Sequence, residues 1–386
     1  MISLHEPEFD EQDEKRVLET LRSTWVSTGG PAVAEFEINF ASFVGAPYAI
    51  SVSSGTVAIQ LMIHCLKKKL NIEGSFEVLI PSLTFIATAN AIVHAGGVPQ
   101  FVDVSPNSLN ASAANFIQTF EQKYRKDANF GWVSKETNLP LLAIMPVNIM
   151  GWLADPAGIS KFCKEIGVAF LEDAAESLGS YSIEKSHSGT QSLMSAYSFN
   201  GNKILTTGGG GMVVTSDPQF AHSLKHLSTT AKTDGLRFVH DEVGFNFRMV
   251  NILAALGCSQ LQKMPQKLVK KKKIFELYKL LINSKNAQIY EQADCVPNYW
   301  LNNVVFATFQ KREKALMRLN ENGFQARPIW TPIHLQPAYS KTGIQLNDFK
   351  NTEDMWNRTL SVPSSPQLLD SQIEQICNCI FDALKD

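Results

Sequence analysis

The chain has 386 residues, 44% hydrophobic and 19% charged, a globular composition long enough for about two domains. Its 35 basic and 37 acidic residues give a formal net charge of −2, so no global field draws it to nucleic acid or to a membrane surface. Six cysteines (Cys65, Cys163, Cys258, Cys295, Cys377 and Cys379) lack CxxC or CxxH spacing, which leaves no readable zinc site and suits reduced, buried thiols. No apolar run is long enough to span a bilayer, and the acidic start MISLHEPEFDEQDEKRV is neither a signal nor a transit peptide, so a cytoplasmic location is expected. The lysine runs Lys67 to Lys69 and Lys270 to Lys273 lie in helix-like stretches and read as solvated faces.

From residue 48 onward, apolar β-branched runs alternate with stretches of helical period. YAISV (48–52) leads through SSGT into a helix, and FEVLIP (76–81) precedes the helix-like TFIATANAIVHAG. VPQFVDV (98–104) reads as the next strand. LLAIMPV (141–147), a helix near 156–166 and VAFLED (168–173) repeat the unit, and SAYSFN (195–200) and GMVVTS (211–216) close the series. Strands apolar on both faces and separated by helices predict a parallel-rich sheet sandwiched by helices. Past residue 265 come a lysine-rich helix (266–283), the apolar run LNNVVFATF (301–309), a helix over 312–322 and a last helix over 369–384. They predict a smaller α+β domain, so the expected division is 1–265 and 266–386.

In such sheets the functional residues gather in loops after the carboxyl ends of strands. Ser54 to Thr56, Ser82 to Phe85, Asp173 and Lys203 all fall there. The small residues Ser54, Gly55 and Thr56 stand ahead of a helix, where free amides and the dipole favour a phosphate; the alternative is a simple capping turn. Asp173 directly follows a buried strand, and it is either a carboxylate with a partner or a helix N-cap, because an unpaired buried charge is costly. In SFNGNKILTTGGGGMVVT (198–215), Lys203 precedes the four glycines and Ile204 follows it. A P-loop has the opposite order, which disfavours a nucleotide-triphosphate cradle. A helix N-terminus, a buried aspartate, an aromatic (Phe85) and a lysine in neighbouring strand-end loops are together what pyridoxal phosphate requires.

The order and wording of seven segments resemble the DegT/DnrJ/EryC1/StrS sugar aminotransferases, which are fold-type I pyridoxal-phosphate enzymes. The segments are SSGTVAIQL, PSLTFIATANAI, LEDAAESLGS, YSFNGNKILTTGGGGM, GFNFRMVNILAALG, GFQARPIWTPIHLQPAY and SVPSSP, spread over nearly the whole chain. The forms EDAAESLGS, SFNGNK-TTGGGGM and RPIWTPIHLQP look most like the branch acting on 4-keto-6-deoxy-N-acetylhexosamine nucleotides, which makes bacillosamine- or legionaminic-acid-type precursors. The resemblance implies an α/β fold with a mostly parallel, seven-stranded-type sheet in a large domain and a smaller C-terminal α+β domain. It also implies that Lys203 is the Schiff-base lysine and Asp173 the partner of the pyridinium nitrogen. Phe85 falls where the family places its stacking aromatic, and Gly55, Thr56 and Ser198 match its phosphate contacts. Asn246, in GFNFRM, matches an asparagine that reaches the phosphate of the neighbouring subunit, which implies a homodimer with shared sites. Glu176 stands where many relatives have glutamine. Glutamine can donate a hydrogen bond to the phenolic oxygen of the cofactor and ionised glutamate cannot, so Glu176 acts either protonated or through water.

The implied reaction moves an amino group from L-glutamate to the 4-keto group of the sugar nucleotide, with the freed Lys203 amine as acid and base. Arg327 and His334 are read either as contacts to sugar or nucleotide phosphates or as parts of a proline-braced surface loop. Trp25 and Thr28, in STWVSTGG, belong to a candidate substrate-side flap. Trp330 reads as a core residue, with base stacking as its alternative. His64, His94 and His226 read as structural, and no His, Asp or Glu group has metal-ligand spacing. Two rivals are a deoxysugar dehydratase of the same family, which characteristically has histidine in place of the lysine, and a non-catalytic binding protein that kept the fold. Lys203 argues against the first, and the intact set Lys203, Asp173, Ser198 and Asn246 against the second.

Overall fold

The computed structural model describes residues 1–339 and 349–385. Its central sheet has seven strands: β1 (Tyr48–Val52), β2 (Glu77–Pro81), β3 (Val98–Val102), β4 (Leu141–Ile144), β5 (Ala169–Asp173), β6 (Met194–Ser198) and β7 (Gly211–Thr215). The spatial order is β1-β7-β6-β5-β4-β2-β3. Strands β2 to β6 run parallel, while β7 is antiparallel to both β1 and β6. The mostly parallel α/β sheet predicted by the alternation is therefore present, with one reversed strand.

Side chains alternate across the sheet, and both faces are dry. Met212, Val214 and Tyr197 join a cluster with Phe36, Phe40, Phe199 and Leu261. Their neighbours Val213 and Ala196 join the opposite cluster with Ile59, Met62, Ile80 and Leu224. The helices that cover these faces carry their own start and stop signals. Ser54 caps the helix Gly55–Lys69 by accepting from the Val57 amide at 3.2 Å, and Lys67, Lys68 and Lys69 in its last turn suit the dipole. All six cysteines are buried and unpaired, as the sequence led us to expect.

A second, antiparallel sheet is built from Asn283–Ser284, Ala287–Ile289, Asn302–Phe306, Thr359–Val362 and Arg327–Pro328, in that spatial order. It packs with the helices Phe309–Glu321 and Asp370–Lys385 around Val304, Phe306, Leu319, Leu360 and Ile376. The helix Met264–Leu281 joins the two halves of the core, for Met264 and Phe275 pack in the first cluster and Ile274 and Tyr278 in that of the second sheet. The chain start is tied to the same region: Ile2 N donates to Gly323 O at 2.8 Å, and Ser364 N donates to Leu4 O at 2.8 Å.

One sequence expectation is overturned on that helix. Lys272 and Lys273 are exposed, but Lys271 is fully buried and Lys267 is 4% exposed. Their spacing of four places both on the inward face, with Ile274, Phe275 and Tyr278. Each survives there because main-chain or side-chain oxygens accept from its ammonium: Ile204 O and Gln260 Oε1 for Lys267, Trp300 O and Ser364 O for Lys271.

The four-glycine run has a steric explanation. Gly208 and Gly210 have φ of +83° and +123°, values that side chains rarely adopt, and the run turns the chain back into β7. A Cβ at Gly211 would lie 2.5 Å from the Ser54 carbonyl oxygen, whereas one at Gly209 would meet open space. Gly211→Ala should therefore cost about 2 kcal/mol or more in unfolding free energy, while Gly209→Ala stays within about 0.5 kcal/mol, as read by denaturant unfolding.

Candidate active site

A cavity of about 280 Å³ opens at the carboxyl ends of the parallel strands. Ser54, Gly55 and Thr56 line it from the start of their helix, Thr84, Phe85 and Thr88 from the segment after β2, and Asp173 and Glu176 from the end of β5. Ser198, Lys203 and Gly210 close it from the loop between β6 and β7, and Trp330 from the second-sheet region. A larger cleft, about 940 Å³, lies near the opposite strand ends around Leu141 and Ala169. Its charged residues Lys69, Glu73 and Lys126 are exposed, and it gathers no buried acid, base or nucleophile.

Asp173 is 3% exposed. Its Oδ2 accepts from Thr88 Oγ1 at 2.7 Å and its Oδ1 from the Ala175 amide at 3.0 Å. Burial pushes its carboxyl up to about 6, against the lowering effect of those two bonds. Lys203 Nζ lies 3.4 Å from Glu176 Oε1, and the Lys203 side chain is only 12% exposed. The other Glu176 oxygen accepts from Met150 N at 2.8 Å. Gly55 sits so close to Ser198 that a Cβ on it would be 2.7 Å from the Ser198 Cβ, which gives any larger residue no room at the helix start. Phe85 is 49% exposed and meets Trp330 edge-on, with ring centroids 5.2 Å apart.

Pyridoxal phosphate fits this arrangement. A buried carboxylate driven toward neutrality is answered by a protonated ring nitrogen, and a helix start by a phosphate. An open aromatic face beside a lysine amine suits a flat carbonyl compound.

Other expected site residues lie elsewhere. Trp25 is exposed and Thr28 partly so, and their loop is pinned to the helix Asn251–Gln262: Asn251 Nδ2 donates to Trp25 O at 2.6 Å and Asn251 N to Ser27 O at 2.8 Å. Asn246 is exposed, and its Oδ1 accepts from Arg248 Nη2 at 3.0 Å. Arg327 is exposed at the edge of the second sheet, opposite Ser361. His334 is buried; Nδ1 is 2.6 Å from Ser82 Oγ, Nε2 is 3.2 Å from Glu353 Oε1, and the ring stacks on Phe349. None of these five lines the cavity of its own chain. Trp330 packs against the first core cluster, as expected, and also walls the cavity; its buried indole Nε1 has no acceptor among the described residues. Thr84 falls within the stretch 82–85 singled out in the sequence, but Thr88 does not, because nothing in TFIATA marks a hydroxyl that turns toward Asp173. His226 converges within 4.8 Å of the adjacent pair Asp241 and Glu242, where Lys68 also pairs with Glu242.

With this sheet and this cavity the protein is a pyridoxal-phosphate-dependent aminotransferase of fold type I. Residues 7–381 match the sequence model of the DegT/DnrJ/EryC1/StrS aminotransferase family, and the chain belongs to that family. It is 31% identical to the GDP-perosamine synthase of Vibrio cholerae over 383 residues, which cover 98% of each chain. It is 33% identical to EpsN of Bacillus subtilis, named as a candidate pyridoxal phosphate-dependent aminotransferase, over 96% of this chain and 92% of that one. Among solved structures, PseC of Helicobacter pylori, an aminotransferase involved in the biosynthesis of pseudoaminic acid, superposes with a TM-score of 0.89 at 24% identity, covering 100% of this chain and 99% of that one. Among the described residues, no helix is long and apolar enough to cross a membrane.

The raised Asp173 value has a measurable sign. The fold favours the protonated carboxyl, so this contribution to stability is complete below the ordinary value of 3.8 and is lost as pH rises through about 6. Relative to Asp173→Asn, the cofactor-free wild type should lose roughly 3 kcal/mol across that window in denaturant unfolding at stepped pH. A gap that does not change with pH would contradict the assignment.

Proposed function

We propose that the protein transfers an amino group from L-glutamate to the C4 keto group of a nucleotide-linked 4-keto-6-deoxy-(N-acetyl)hexosamine, in amino-sugar synthesis for surface glycans. The observation that carries this reading is the convergence of the Lys203 amine and the buried Asp173 carboxylate on one cavity. Its nucleotide-sugar side draws support from relatives named for GDP-perosamine synthesis. Those names favour GDP as the nucleotide and an amino-sugar product, while the segments EDAAESLGS and RPIWTPIHLQP support an N-acetylated sugar.

When bound, pyridoxal phosphate supplies an electron sink for the carbanion formed at the amino-bearing carbon. Asp173, fixed by Thr88 and the Ala175 amide, holds a proton on the ring nitrogen of that group. Gly55 and Thr56, at the helix start, and Ser198 bind its phosphate. Phe85 offers a ring face, and Glu176 stands beside the lysine amine. With the cofactor bound, Lys203 Nζ would hold it covalently and, once freed, would act as acid and base in the 1,3-proton shift, taking the proton from the α carbon of the amino donor and returning it across the nitrogen to the cofactor's carbonyl carbon. The reverse sequence gives the amine to the sugar.

Asn246 lies outside its own chain's cavity, which is what a contact to the site of a second copy requires, so we assign the working unit as a homodimer with shared sites. Trp330 and Phe85, with ring centroids 5.2 Å apart, form an aromatic wall on the side left for the sugar nucleotide. Trp25, Thr28, Arg327 and His334 are not assigned substrate contacts within a single chain.

Lys203→Ala should lower transamination by about a thousandfold or more, and borohydride reduction of the holoenzyme should place the cofactor adduct on the Lys203 peptide by mass spectrometry. An adduct on another lysine would sink the assignment. Assays of GDP-, UDP- and dTDP-linked 4-keto-6-deoxy sugars, with and without an N-acetyl group, should show glutamate-dependent amination of one class. No amination of any would refute the proposed reaction.

A further inference from the structure

The Lys203 amine is enclosed by a wall that lies outside the cavity lining. Its Nζ is 4.1 Å from the centroid of the Trp300 ring and 3.4 Å from Glu176 Oε1. Trp300 is fully buried and held at three points. Its indole Nε1 donates to Asn202 O at 2.7 Å, its backbone N–H donates to Asn298 Oδ1 at 2.9 Å, and its carbonyl accepts from Lys271 Nζ at 2.6 Å. Asn298 also reaches the other wall, donating from Nδ2 to the Glu176 carbonyl at 2.9 Å. On the far side of the lysine, Ile204 O accepts from Lys267 Nζ at 3.0 Å. The carbonyls on both sides of Lys203 in sequence are thus held by side chains from a distant part of the chain.

An indole face attracts an ammonium, and more strongly where water is excluded; a carboxylate on the other side adds to that attraction. A neutral amine gains little from either. A lysine that carries protons must also return to one place each time it is released, and its four-carbon stem has ample freedom to wander. Asp173 and His5 are the other titratable groups whose charges act with that of the amine, and the nearby buried Lys267 and Lys271 each donate to two oxygen acceptors.

We propose that Trp300 is a positioning residue: with Glu176 it forms a resting site for the Lys203 ammonium whenever that amine is free. Asn298, Lys267 and Lys271 brace the site. The inference rests on the reading of Lys203 as the proton carrier, yet the resting site itself exists without cofactor or substrate.

The test uses Trp300→Phe, which keeps a ring face but loses the bond to Asn202, and Trp300→Leu, which loses both. In the cofactor-free protein, acylation of Lys203 by an amine-reactive ester is followed by peptide mass spectrometry, with exposed Lys272 as the internal reference. Trp300→Leu should speed labelling of Lys203 about tenfold and Trp300→Phe less than about threefold, with Lys272 unchanged. Glu176→Gln, close in volume but uncharged, should also speed it, which keeps the test open if Trp300→Leu does not fold. In the loaded enzyme Trp300→Leu should lower kcat about thirtyfold, with KM for both substrates within about twofold. Unchanged Lys203 labelling in the variants, or equal acceleration at Lys203 and Lys272, would overturn the proposal. Because labelling needs no turnover, a failure to aminate sugars would refute the proposed function and leave this result standing.

Discussion

Burying a carboxyl with no ion-pair partner is among the costlier things a fold can do, and among the described residues this fold gives Asp173 none. The residue ends β5, the middle strand of seven, so no solvent reaches it from either edge. Thr88 and the Ala175 amide take up its oxygens but bring no charge. In the function proposed above, the compensating cation comes through the cavity as a protonated ring nitrogen. Much of the surrounding architecture serves that one group. Thr84 bonds to Thr88 at 3.0 Å, and β4 and β6 hold the strand between them. The site is consequently organised around a desolvated acid held in place before any ligand arrives.

The lysine side is organised by the opposite logic. Lys203 sits in a loop whose glycines give close backbone approach and left-handed turns, which by themselves would leave the loop loose. Rigidity is brought in from the helix Met264–Leu281 and from the segment around Asn298 and Trp300. In the proposed reaction, where Lys203 both bonds and lets go, the side chain is thereby set on a stiff base with a movable tip.

Sequence alone showed the central sheet because its strands are continuous apolar runs between helical stretches, and the motifs at strand ends located Lys203 and Asp173. The reversal of β7 was not legible, since GMVVT has the same pattern in either direction. Lys271 was misread because a run of four lysines looks like a solvated face; the i, i+4 relation of Lys267 and Lys271, shared with Phe275, was the available signal. Trp300 had no signal at all, because its role depends on a ring meeting an amine 97 positions earlier in the chain, a relation that only tertiary structure creates. Trp330 and His334 show the same limit in opposite senses, one reaching the cavity and the other absorbed by Ser82 and Glu353.

The ties between Ile2 and Gly323 and between Leu4 and Ser364 join residues more than three hundred positions apart. On a ribosome Ile2 and Leu4 emerge long before their partners do, and they must wait unpaired until Gly323 and Ser364 have been made. Ser364 also receives the Lys271 ammonium that steadies Trp300. The central sheet can form during synthesis, but the stiff base under Lys203 closes only afterwards. A nascent chain can therefore have its cavity walls in place before it has a lysine held ready to work.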